Sequence, residues 1–72
     1  MIELRLRLVD GVRALRAKQR VTQTDLAERL GSSQSRVAKI EAGDRTVSLD
    51  LLLRTLFTLG ATKKQIAKLI AA

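Results

Sequence analysis

TQTDLAERLGSSQSRVAKIEAG, Thr22 to Gly43, is the stretch that decides the fold of this chain. Thr22 is an N-cap for a helix over Gln23 to Leu30, and Asp25 lies in its first turn, where a carboxylate suits the positive end of the helix dipole. Gly31 ends that helix and supplies the positive φ that the next turn needs. Ser33 then caps a helix over Gln34 to Ala42, which stops at Gly43. Only Gly31, Ser32 and Ser33 separate the two helices, a length that forces a sharp corner rather than an antiparallel hairpin. Ala27 fits the crossing point, where a bulky side chain would push the helices apart, and Leu26, Leu30, Val37 and Ile40 become the inward residues.

This is helix-turn-helix spacing. Projecting the second helix at about 100° per residue places Val37, Ile40 and Glu41 on one side. Ser35, Ala38, Lys39 and Ala42 fall on the other, with Gln34 at the N-terminal tip. An outward face of this kind suits entry into a major groove. The small residues at 38 and 42 let the backbone approach base edges, Gln34 can pair bidentately with adenine, and Lys39 can donate to guanine. Ser35 can serve either base, and Ala38 can meet a thymine methyl.

Outward from this core the punctuation continues. Toward the N-terminus, Leu8, Val12 and Leu15 follow helical spacing and predict a helix from about Leu8 to Gln19. Ile2, Leu4, Leu6 and Leu8 alternate with charged residues at the period of a strand, so residues 1–7 either extend that helix or form a short strand. A lone strand would need a partner, most simply from a second copy of the chain. Toward the C-terminus, Ser48 caps a helix over Leu49 to Leu59, and Thr62 with Gln65 makes a capping box opening a helix over Lys63 to Ala71. Leu49, Leu52, Leu53, Leu56 and Leu59 form the stripe that closes the core, with Leu51 pointing away as a candidate dimer contact. The last helix is expected to bury Ile66, Leu69 and Ile70 and to display Lys63, Lys64 and Lys68. The fold class is therefore all-α: five short helices around a central corner, in one domain over residues 1–72.

Composition bounds the function. The 72 residues carry 14 Lys and Arg against 7 Asp and Glu, a formal charge of +7 on a very small surface, which calls for a polyanionic partner. Single-strand binders stack bases on aromatic rings, and Phe57 is the one aromatic residue, so duplex DNA is favoured. With no Cys and no His, the chain lacks thiolate and imidazole ligands, disulfides and the usual neutral-pH base. No nucleophile has a base beside it, so no enzyme, metal site or cofactor is expected. No stretch approaches the roughly 20 apolar residues of a membrane span, and no export signal follows Met1. The expected compartment is the cytoplasm. A basic amphipathic helix over Ile2 to Arg20, lying on an anionic membrane, is disfavoured by Asp10 and Gly11.

The ordered combination of Thr-Gln, Leu-Ala, Gly, Ser-Gln and Glu-Ala-Gly between Thr22 and Gly43 resembles the helix-turn-helix of the phage repressor and Cro family, also called the XRE family of bacterial regulators. The likeness extends from about Leu8 to Gly60 and implies the lambda-repressor-like fold. It implies that Gln34, Ser35 and Lys39 occupy base-reading positions, with Ser33 a neighbouring contact just before the helix. Gln23, at a helix end whose free N–H groups already favour an anion, would contact a phosphate. Arg45 and Thr46, in the loop after the recognition helix, and Arg36 on its flank are further phosphate candidates. Arg16 and Glu41 resemble the family's structural ion pair, in agreement with the inward position of Glu41 and the need of a buried carboxylate for a partner. Ser32 departs from the pattern, which more often has an apolar residue there.

The resemblance implies a transcriptional regulator, most simply a repressor, bound to a near-palindromic operator as a homodimer. The chain stops soon after the last helix, so no ligand-sensing domain is expected, and control would come from abundance, proteolysis or a protein partner. Many short members of the family are antitoxins that neutralise a toxin and repress their own operon. The outer face of the fifth helix and residues 1–8 are the toxin-facing candidates for that alternative.

Overall fold

The computed structural model of the chain describes residues 4–71. Five helices follow one another: α1 (Leu4–Gln19), α2 (Gln23–Leu30), α3 (Gln34–Glu41), α4 (Leu49–Thr58) and α5 (Lys63–Ala71). Among the described residues there is no strand. The caps act as the sequence predicts. Thr22 and Asp25 form a reciprocal capping box at α2, Ser33 and Ser48 accept from the N3 amides of α3 and α4, and Thr62 and Gln65 cap α5. Gly31 ends α2 at φ 65°, and its neighbour Ser32 returns an N–H to the Ala27 carbonyl at 2.9 Å.

The strand alternative for residues 4–7 is corrected by the structure, which starts α1 at Leu4; residues 1–3 lie outside the described residues. The physical reason is that a helix satisfies its backbone internally, whereas a lone strand would leave donors and acceptors open. Leu8, Val9 and Val12 are then buried, and the period-two leucine Leu6 is left 47% exposed. α3 and α4 each end one residue before the predicted limit, with Ala42 and Leu59 as their C-caps.

The core gathers one stripe from every helix: Leu8 and Val12, Leu26, Val37 and Ile40, Leu52 and Leu56, and Ile66. Each full burial of such a side chain stabilises by about 1.5–3 kcal/mol. α1 is the central strut, packing on α3, α4 and α5, while α2 packs on α3 and α4.

Three expectations about the C-terminal half are corrected. Leu49 is 40% exposed, because it sits in the first turn of α4, beyond the edge of the core that Val47 fills from the preceding loop. Leu51, expected to point outward, is half-buried against the core. Ile70, in the last turn of α5, is 46% exposed, since α1 meets that turn through the Arg7 guanidinium, which donates to the Ile70 carbonyl at 2.8 Å, and Leu69 is only half-buried. Thr55 is fully buried instead, at no polar cost because its hydroxyl donates to the Leu51 carbonyl at 2.7 Å.

Candidate nucleic-acid interface

α3 stands on the fold as a rod with two different faces. Val37 and Ile40 are fully buried, while Gln34, Ser35, Arg36, Ala38, Lys39 and Ala42 are exposed. Ser33 fixes the start of this helix by accepting from the Arg36 amide at 3.1 Å, which leaves the hydroxyl proton of Ser33 to donate outward. The first-turn amides of Gln34 and Ser35 have no backbone partner, as at any helix start, and add donors to the same end.

The loop that follows is tightly knit. Asp44 accepts from both the amide and the hydroxyl of Thr46, at 2.8 and 2.7 Å, and its own amide donates to the Lys39 carbonyl at 3.1 Å. The Arg5 guanidinium of α1 donates to the Val47 carbonyl, which clamps the far end of the loop onto the body. Ser33, Ser35, Arg36, Lys39, Thr46 and Val47 thereby line one open groove. Gln34 and Ala38 are exposed on the same helix outside its walls, and Arg45 projects from the loop. Both donors of Thr46 are taken by Asp44, so Arg45 is the loop's available cationic donor.

The hydrogen bonds from Thr46, first the hydroxyl and then the amide, hold the Asp44 carboxyl below the usual carboxylate range, and the positive charges of Lys39 and Arg5 act in the same direction. A lowered native pKa means that the turn is fully held above the ordinary carboxylate pKa of about 3.9 and loosens as pH falls through the native value. The Thr46 amide resonance is expected to stay constant above that pH and to titrate with a lower midpoint. A midpoint at or above the ordinary value would contradict the turn.

Glu41, on the inward side of α3, takes a bidentate contact from Arg16, through Nε to one oxygen and through Nη2 to Oε1 at 2.9 Å. The Glu41 side chain is 8% exposed and that of Arg16 is 25% exposed. Arg16 also donates to the Val21 carbonyl at 3.0 Å, and Gln23 donates to Glu41 Oε1 at 3.4 Å. The pair thus ties α1, the α1–α2 corner, the first residue of α2 and the end of α3 together. Gln23 keeps one amide hydrogen for an outside acceptor, next to the open amides at the start of α2.

A family model described as helix-turn-helix matches residues 12–54, more than half of the chain. The chain belongs to the phage repressor and Cro (XRE) helix-turn-helix family. No curated protein and no solved structure matches it. This XRE-family protein is accordingly a DNA-binding transcriptional regulator. No helix among its described residues is long and apolar enough to cross a membrane.

Sequence reasoning missed two basic residues. Arg5 secures the loop after α3 from a position 42 residues away in sequence, inside the segment whose secondary structure was ambiguous. Arg54, on α4, shares with Arg36 a polar recess that Gly31 and Ser32 also line. Its place in the leucine-rich helix that closes the core concealed it, although its charge was a signal.

Proposed function

We propose that the protein is a sequence-specific repressor that acts in the cytoplasm as a homodimer on a near-palindromic operator. The observation that carries this reading is the two-faced recognition helix, whose exposed side holds short or hydrogen-bonding groups over a fully buried apolar side. Gln34, Ser35 and Lys39 read base edges, with Ser33 and Ala38 beside them. Gln23, Arg36 and Arg45 position the duplex through its phosphates. Thr46 joins them only by exchanging a bond to Asp44.

Two features favour the dimer. Leu49 and Phe57 are 40% and 49% exposed and, with Leu53, recur every fourth residue on one face of α4, next to the loop that borders the recognition groove. The domain measures 30 × 24 × 18 Å. Two copies on half-sites about 34 Å apart therefore come within side-chain reach when their long axes follow the duplex. Sedimentation with a two-half-site duplex tests this. Two copies are expected per duplex for the wild type, and Phe57→Glu should lose the second copy while keeping half-site binding. Retained pairing by that variant would remove α4 from the interface.

Arg45→Ala is expected to weaken every duplex alike and to flatten the logarithmic salt dependence by about one unit, because one phosphate contact is lost. Binding titrations over a range of salt concentration measure it. A loss confined to certain sequences would instead make Arg45 a base reader.

An antitoxin that also binds a protein toxin is a second reading, favoured by apolar surface on α1 and α5 that the DNA-facing elements leave uncovered.

A further inference from the structure

α1 and α5 meet at Gly11, where an added Cβ would lie 2.5 Å from Leu69 Cδ1. Glycine inside a helix costs about 1 kcal/mol relative to alanine, and here its bare backbone admits the Leu69 side chain. Beside that contact the two helices leave an open groove of about 230 Å³, whose apolar lining is Gly11, Ala14, Leu15, Ala61 and Leu69. Its polar groups stand at the rim: Gln65 and two lysines, Lys18 and Lys68. No carboxylate lines it among the described residues. The volume falls below the roughly 300–1,000 Å³ of small-ligand pockets. An open apolar channel between two helices suits instead a ridge of side chains from a third.

We propose that this groove docks an amphipathic helix of a partner protein, with apolar anchors at i, i+4 and i+7 seated on the apolar lining and flanking Asp or Glu residues paired with Lys18 and Lys68. The charge of the rim selects the occupant. A second copy of this chain, itself carrying +7, would bring lysine rims together across a two-fold axis, whereas an acidic helix is attracted along the whole groove. The groove shares no residue with the one along α3, so the partner and DNA bind together. The inference deepens the antitoxin reading, which uses the same groove, by giving the chemistry of the occupant, and it is independent of the operator reading, since it uses neither the recognition helix nor the exposed face of α4.

The probe is a synthetic helical peptide with Leu at i, i+4 and i+7 and Glu at the flanking positions, titrated into the isotope-labelled full chain and followed by amide resonances. Saturable shifts are expected at Ala14, Leu15, Ala61 and Leu69, and they should persist when a short duplex occupies the protein. Two control peptides, one with Lys for Glu and one with Ser for Leu, should each bind about tenfold more weakly or worse. Ala14→Arg fills the groove from an exposed position without changing the sign of the rim, and Lys18→Glu with Lys68→Glu reverses it. Each is expected to weaken the peptide by about tenfold with thermal melting preserved. Absence of binding, equal binding by the Lys peptide, or shifts centred on α3 or on Phe57 would overturn the proposal. Self-association abolished by Ala14→Arg would overturn it in favour of a second copy. Loss of sequence-specific DNA binding would leave these shifts unchanged, so the two claims fail separately.

Discussion

Glu41→Ala is expected to lower the stability of the fold by about 2–3 kcal/mol, toward or below the low end of the range for removing one partner of a buried ion pair. Arg16 is a quarter exposed, so water recovers part of the loss, but two of its donors lose their acceptor inside a three-helix joint. For a domain of this size the change corresponds to a fall of roughly 10–20 °C in Tm. Thermal unfolding followed by circular dichroism measures it directly. The paired variant Arg16→Met with Glu41→Leu should recover most of the loss, because apolar groups of similar volume require no partner. An unchanged Tm for Glu41→Ala would show that the contact is without energetic weight. A second consequence concerns DNA: Gln23 loses the carboxylate that orients it, so phosphate affinity should fall in the folded variant too.

Gln34→Ala is expected to leave the fold intact and to erase preference at one base position, at a cost of about 1–3 kcal/mol for the cognate duplex. Gln34 is exposed and lies directly after the Ser33 cap, so its removal is expected to touch recognition alone. The readout is the ratio of affinities for duplexes differing at each base pair. Relaxation at a single position per half-site is the expected pattern, in contrast to the uniform weakening expected of Arg45→Ala. Preference kept at every position would show that another residue reads the bases.

Much of the architecture was legible because local and global signals coincide. Thr22, Ser33, Ser48 and Thr62 each cap the helix that follows, and Gly31 takes the left-handed turn that the corner requires. The Arg16–Glu41 pair is legible through the family resemblance, with which the inner-edge positions of both residues agree. The first turns of α1 could not be settled, since leucines at alternate positions satisfy a strand as well as the edge of a helix, and the choice is made by the core beneath Leu8, Val9 and Val12. In α4, leucine at 49, 51, 52 and 53 gives too flat a pattern to orient the helix. Its rotation is set by Val47 and Thr55, one in a loop and the other disguised by a hydroxyl that bonds within the helix. Arg5 reaches the loop after α3, and Arg54 the flank beside Arg36, only through tertiary packing, which no spacing rule encodes.

The most direct test of the central claim is selection from a random duplex library at about 150 mM salt, where non-specific phosphate binding is weak. A motif with two-fold symmetry and half-sites about one helical turn apart is expected to be enriched. Retention of duplexes at low salt with no motif enriched would contradict it, because the exposed face of α3 would then not be reading bases.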